Sequence, residues 1–264
     1  MGGGMFFLVC LMLLAHSSIL VRPKKLNDNS LEGKNIFILA GQSNMAGRGS
    51  LVPMPSECQR NPRILRLNAK LTWEEAQEPL HQDIDIHKTC GIGPGMAFAN
   101  SILERDSARV GVIGLVPCAV GATNITAWQR GGFLFNQLVE RAQAALRDGG
   151  RIRGILWYQG ESNTDNLENV KGYKGKLETF FKDIRSDLKL PQLPIIQVAL
   201  ASGQNATYTE MVRKAQLEIK LPNVTCIDAK GLQIQSDKLH LTTEAEVRLG
   251  KMLAGAALKI MEHI

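Results

Sequence analysis

Short β-rich apolar runs alternate along this chain with amphipathic stretches, and that alternation constrains the fold more than any other feature. The runs Asn35–Ala40, Ile64–Leu67, Val110–Val116, Ile152–Tyr158, Ile195–Leu200 and Val224–Asp228 are nearly continuous in apolar residues and read as strands. Between and after them, Gly95–Arg105, Phe133–Arg147, Asn169–Leu188, Thr209–Ile219 and Thr242–Met261 carry apolar residues at helical spacing. In Phe133–Arg147 the stripe Leu134, Leu138, Ala142 and Leu146 recurs every fourth residue, which gives a helix one apolar face. Strands that are apolar throughout belong in a parallel sheet covered on both faces. The expected fold is therefore a three-layer α/β/α sandwich in one domain over residues 35–264. The region from about Arg48 to Thr89 has little periodicity and is expected to form a long elaborated loop around one short strand, a candidate cleft wall.

Met5–Ala15 reads MFFLVCLMLLA, too short for a comfortable membrane span but fitting the apolar region of a signal peptide at residues 1–17. A polar linker, 18–34, follows. The alternative is an uncleaved signal anchor, with the apolar run extended through Ile19–Val21. Loss of Cys10 with the signal leaves Cys58, Cys90, Cys118 and Cys226, an even set that an oxidising compartment can pair. Cys58 and Cys90, both in loop-like sequence, are the first expected pair. Against that stands the reading of Cys118 and Cys226 as buried thiols. Asn124, Asn205 and Asn223 begin Asn-X-Thr sequons, meaningful only on a secretory route. The net charge of +6 is spread out, with no basic run interleaved with aromatics, which argues against nucleic acid and leaves attraction to an acidic polymer open.

In α/β folds of this kind ligands bind outside the carboxyl ends of the strands, so the residues just after each strand are the ones to inspect. After the first comes Gly41-Gln42-Ser43-Asn44-Met45-Ala46-Gly47. A serine at such a turn is presented at the sheet edge with free backbone N–H groups beside it, although Ser43 or Asn44 could equally cap the next helix. Met45 in the fifth position rules out the G-x-S-x-G elbow. Gly121 follows the third strand, and Gln159-Gly160-Glu161-Ser162-Asn163 the fourth, a polar cluster that must be either a satisfied network or a site. Asp237-Lys238-Leu239-His240 stands just before the last helix. Among His81, His87, His240 and His263, only His240 has an aspartate three residues before it in a turn-like, pre-helical setting, which makes Ser43, His240 and Asp237 a plausible triad.

Taken in order, GQSNMAGRG, GIGPGMAFA, VPCAVGATNITAW, WYQGESNT and DKLHLT resemble the sialate O-acetylesterase-like branch of the SGNH (GDSL-like) hydrolase superfamily. They are more closely similar to plant sequences named as probable carbohydrate esterases and grouped with family six acetylxylan esterases. The resemblance covers about Asn35 to Ile260. It implies a flavodoxin-like sandwich and deacetylation of O-acetylated carbohydrate through an acetyl-serine, with no metal or cofactor. Carried over, it makes Ser43 the nucleophile and an oxyanion donor through its own N–H, Gly121 the second donor, and Asp237 and His240 the rest of the triad. The third donor is expected to be Gln159, with Asn163 as the alternative, since Ser162 stands where related sequences place an asparagine. Asn44 and Glu161 are expected to tie the loops together. Ala122 replaces a glycine that relatives often carry, and a glycan on Asn124 would crowd the cleft. The function implied is a secreted serine esterase acting on acetylated cell-wall polysaccharide such as xylan or pectin, with no nucleic-acid or integral-membrane partner. A small-ester or lipid esterase and a carbohydrate-binding protein without turnover are the alternatives.

Overall fold

The computed structural model describes residues 33–262 together with Met1. The Met5–Ala15 run expected to be a signal peptide, Cys10, residues 18–32 of the expected linker and His263 lie outside the described residues. In chain order the elements are β1 (Asn35–Gly41), α1 (Ser43–Ala46), β2 (Ile64–Leu67), β3 (Trp73–Glu75), α2 (Pro94–Val110), β4 (Ile113–Pro117), α3 (Phe133–Ala145), β5 (Arg151–Tyr158), α4 (Leu167–Asp187), β6 (Ile195–Ala199), α5 (Ala206–Leu217), β7 (Val224–Asp228) and α6 (Thr243–Met261). Short 3-10 turns form at Ser56–Cys58, Ile125–Trp128 and Glu161–Asn163.

One sheet, ordered β3-β2-β4-β1-β5-β6-β7, runs through the domain, and every pairing is parallel except that of β3 with β2. Without β2 and β3, which belong to the insertion after β1, the order β4-β1-β5-β6-β7 is the 2-1-3-4-5 of flavodoxin-like sheets. The chain leaves β1 for one side and returns to β5 on the other, so a crevice opens at the carboxyl ends of β1 and β5. All seven residues of β1 are buried, because the strand is central and covered on both faces. Period-two alternation sends Phe37 to α2, where it meets Phe98 edge-on at 4.8 Å. On the opposite face Trp157 of β5 packs 4.6 Å from Phe180 of α4 and 5.1 Å from Trp128. Helices α2 and α6 pack together on the first face, and α3, α4 and α5 follow one another on the second.

Local differences from the sequence expectation have physical reasons. Leu134, Leu138 and Ala142 are buried as the stripe requires, but Leu146 is the exposed C-cap of α3. Helix α2 starts at Pro94, whose missing N–H costs nothing in a first turn, and continues to Val110 through a kink at Asp106. The strand expected from Val110 therefore begins at Ile113. Asn166 and Asn205 cap α4 and α5 with their side chains, which starts both helices two to three residues early. The Arg48–Thr89 region holds two strands rather than one: Trp73–Glu75 closes back on β2 as an antiparallel edge.

Candidate active site

A tight turn at the end of β1 delivers Ser43. Gly41 pairs with Tyr158 across β1 and β5 at φ 129°, and a Cβ there would stand 2.0 Å from the Tyr158 carbonyl oxygen. Only glycine fits so close an approach. Gln42 then donates its N–H to that carbonyl at 2.8 Å while its own carbonyl accepts from Met45 and Ala46, which starts α1. The helix is capped by extended Gln42 without any side-chain bond, so neither Ser43 nor Asn44 is spent on capping.

Ser43 Oγ lies 3.0 Å from His240 Nε2, and His240 Nδ1 lies 2.6 Å from Asp237 Oδ2. A carboxylate can only accept, so Nδ1 carries the proton toward Asp237 and Nε2 is left to accept from the serine. Lys238, at φ 60°, reverses the chain between them. Asp237 Oδ1 takes the N–H groups of Leu239 and His240, each at 2.9 Å. Partial burial opposes ionisation of Asp237, but those two N–H groups and the imidazole outweigh it and hold the carboxyl below its ordinary range.

Side chains from the segments that follow β1, β6 and β7 fix this turn. Asn44 donates to Glu161 Oε1 at 2.7 Å and accepts from Leu241 N–H at 3.0 Å, joining β1, the end of β5 and the His240 turn. Ser202, just after β6, donates to the Leu239 carbonyl at 2.6 Å, and Gln235 donates to the carbonyls of Leu241 and Arg48. Glu161 is fully buried and its Oε2 has no hydrogen-bond partner among the described residues. Desolvation pushes its carboxyl up to about 7, against the opposing bonds from its own backbone and Asn44.

The N–H groups of Ser43 and Gly121 have no hydrogen-bond partner among the described residues. Thr123 and Trp128 brace the Gly121 loop: Trp128 Nε1 donates to Thr123 Oγ1, which donates to the Val120 carbonyl. The expectation for Gln159 needs correction. Its Nε2 is engaged by Thr123 O at 3.0 Å, Asn163 Oδ1 at 2.8 Å and Gln42 Oε1 at 3.2 Å, so its two hydrogens are already committed inside the protein. Asn163 is the amide left over. The Ile125 N–H can only donate, so it fixes Oδ1 at 2.9 Å, and Nδ2 on the other side has no partner among the described residues. Ser162 contributes only its backbone N–H, to Gln42 Oε1.

Gln42 was not singled out in the sequence, yet its Oε1 collects Gln159 Nε2 and the N–H groups of Gly160 and Ser162 and binds the two halves of the crevice. Ser202 could have been found by the rule that inspects strand ends. Gln235 carries no such signal. The expected Cys58–Cys90 disulfide does not form, and all four described cysteines are free thiols. Cys58 is sunk into the core beside Ala97, where burial pushes it up to about 12, whereas Cys90 Sγ faces Arg48 at 3.7 Å. The sequon asparagines have structural work of their own. Asn124 Oδ1 caps the Ile125–Trp128 turn, Asn205 Oδ1 caps α5, and Asn223 Nδ2 donates to Gln192.

Comparison with known proteins places the chain in a family. Residues 33–259 match the family model described as carbohydrate esterase, sialic acid-specific acetylesterase. The chain belongs to that family. It is thereby a carboxylic ester hydrolase of the carbohydrate esterase kind. A relative named probable carbohydrate esterase, from Arabidopsis thaliana, is 52% identical over 235 residues, covering 84% of this chain and 90% of the relative. The X-ray structure of that protein superposes with a TM-score of 0.83 at 50% identity, over 86% of this chain and 98% of the other. NanS (17% identical, TM-score 0.71, 88% and 99% covered) and XAC1771, a carbohydrate acetylesterase from Xanthomonas citri (21%, 0.66, 87% and 57%), share the fold.

Proposed function

We propose that this carbohydrate esterase removes O-acetyl groups from cell-wall polysaccharide through an acetyl-serine intermediate. The observation that carries the reading is the unbroken line Ser43 Oγ, His240 and Asp237, together with the N–H groups of Ser43 and Gly121, which have no partner among the described residues. In this mechanism His240 Nε2 takes the Ser43 proton as Oγ attacks the acetyl carbonyl, and Asp237 stabilises the imidazolium. The N–H groups of Ser43 and Gly121, with Asn163 Nδ2, hold the oxyanion. As the tetrahedral intermediate collapses and the bond to the sugar oxygen breaks, the imidazolium gives its proton to that oxygen, which leaves as the sugar hydroxyl. Water, deprotonated by His240, attacks the acetyl-serine and releases acetate. Each oxyanion donor contributes about 3 kcal/mol in the transition state.

Two sequence features support a polysaccharide substrate met outside the cell: the leader-like Met5–Ala15 run and a net charge of +6, which favours approach to acidic polymers. The test is acetate release by the purified protein and by Ser43→Ala from acetylated xylan, acetylated pectin and an aryl acetate. Release from a polymer by the parent protein alone is the expected result. Undiminished release by Ser43→Ala overturns the mechanism, and cleavage of the aryl acetate with neither polymer touched overturns the substrate.

A further inference from the structure

We infer that Arg48, held by Asp85, is a positioning residue for the Gly121 oxyanion donor. The inference rests on the esterase mechanism proposed above. Arg48 lies one residue beyond the glycine that ends α1, and its guanidinium is shared among the three segments around the crevice. Nη1 donates to the Gly47 carbonyl at 2.7 Å and points toward Cys90 Sγ, while Nη2 donates to Asp85 Oδ2 at 2.5 Å. The backbone carbonyl of Arg48 accepts from Gln235, on the segment that leads into the His240 turn. The ion pair is shielded, with side-chain exposures of 12% for Arg48 and 1% for Asp85. An ion pair so far removed from water is costly to form and costly to break, and here it occupies a defined place.

That place is the outer face of Gly121. A Cβ on Gly121 would stand 2.5 Å from Arg48 Nη2 and 3.1 Å from Asp85 Oδ2. The donor loop therefore rests directly on the ion pair. Nothing else from the insertion after β1 comes as near except Lys88, whose Cγ is 3.5 Å from the same point. Two consequences follow. The guanidinium sets how far the Gly121 N–H can retreat from the Ser43 side of the crevice, and an oxyanion donor displaced by a fraction of an ångström loses most of its value. The guanidinium also keeps a positive charge beside the donor in a water-poor setting, where a developing negative charge benefits more than the neutral ester.

The experiment compares kcat and KM for an aryl acetate, the inhibition constant of methylboronic acid and Tm in the parent protein, Arg48→Gln, Arg48→Lys, Gly121→Ala, Arg48→Gln/Gly121→Ala and Ser43→Ala. Methylboronic acid adds to a serine as an anionic tetrahedral group and so reports on the oxyanion site. Arg48→Gln should lower kcat roughly 10- to 100-fold with KM within about twofold, and weaken the boronate by a similar factor. Arg48→Lys should recover part of both losses. Gly121→Ala pushes the guanidinium off Asp85, so the double variant should be little worse than Gly121→Ala alone. Multiplicative losses in the double variant, a fall confined to KM, or a kcat in Arg48→Gln within twofold of the parent would each overturn the inference. If Arg48→Gln does not fold, the Arg48→Lys split between kcat, KM and boronate decides in the same way. Ser43→Ala separates the two readings: its full activity overturns the mechanism itself, whereas its inactivity beside an undiminished Arg48→Gln overturns only the positioning role.

Discussion

The two sides of the crevice are built differently. Ser43 stands at the end of the central strand, between fully buried neighbours, with Gly41 pressed against Tyr158 and Gln42 bridging to the end of β5. His240 stands on a turn outside the sheet, where the Asp237 side chain is 44% exposed and that of His240 21%. The proposed nucleophile is thus placed by the sheet, which cannot move without unfolding. The proposed base is placed by side chains, chiefly Asn44 and Ser202, which hold its loop to the ends of the sheet. Precision on the first side comes with the fold, and on the second it depends on a few hydrogen bonds that single substitutions can remove.

Removing either reacting group should have the largest effect and should erase the difference between the sides. Ser43→Ala and His240→Ala are each expected to lower kcat by about 10⁴-fold or more, with Tm close to the parent, because the groups work as a unit. Stopped-flow and steady-state assays on an aryl acetate would show it, and more than a few per cent residual turnover in either would break the assignment. Next is the proposed third donor. Asn163→Ala should cost about 10²-fold in kcat with KM little changed. Gln159→Ala should act mainly on stability, since its amide braces Asn163 and Thr123 rather than the substrate. The reverse ranking in kcat would restore Gln159 as the donor.

Asn44→Ala sharpens the contrast. It leaves Ser43 on the sheet but frees the Leu241 N–H and Glu161, so turnover should fall roughly tenfold through a mobile His240, with about 1–3 kcal/mol lost from the buried, unpaired partners. Denaturant melts and kcat on the same samples would separate the two losses. Glu161 gives the pH signature. Desolvation raises its carboxyl to about 7 in the folded chain, so the folded state holds its proton after the unfolded chain has released one. Stability from this group is full below the ordinary carboxylate range and is lost as pH rises through about 7. Glu161→Gln keeps an acceptor for Asn44 and cannot ionise. It should match the parent in acid and exceed it by a few degrees in Tm above neutrality. Glu78, which burial raises to about 8, keeps a part of the slope in both proteins. Identical Tm profiles from pH 4 to 9 would remove Glu161 from the account.

Legibility in the sequence divides along the same line as the two sides of the crevice. Strand and helix positions were visible because a doubly covered parallel sheet demands unbroken apolar runs, and the rule about strand ends led directly to Ser43, Gly121 and the polar cluster after β5. The pairing of Ser43 with Asp237-x-x-His240 needed only elimination among few histidines and a family resemblance. The choice between Gln159 and Asn163 was not legible, because it turns on which amide hydrogen is already engaged by the Thr123 carbonyl and which amide oxygen by the Ile125 N–H. Nor could the free state of Cys58 be read. Its position in a loop suggested a partner, whereas the loop folds a 3-10 turn down onto α2 and takes the thiol into the core. Arg48 and Asp85 are far apart in sequence and meet only through the insertion's tertiary path.

The smallest effect concerns the loop that stands between the rigid side and the tethered one. Ala122, next to Gly121, is held at φ 60° and is exposed, in the left-handed region where a Cβ crowds the backbone. That conformation costs about 1–2 kcal/mol for a residue with a Cβ, and glycine escapes it while giving up about 0.5–1 kcal/mol of unfolded-chain entropy. Ala122→Gly should therefore stabilise the protein by about 0.5–1 kcal/mol, readable as a shift in the urea midpoint at unchanged slope. If the loop is held mainly by Thr123, Trp128 and the Arg48–Asp85 pair, as the hydrogen bonds indicate, kcat should stay within about twofold. A larger fall in kcat, with stability gained, would show that Ala122 itself stiffens the Gly121 donor. The strain would then belong to the catalytic geometry rather than to the turn, and the donor loop would join the tethered side of the comparison.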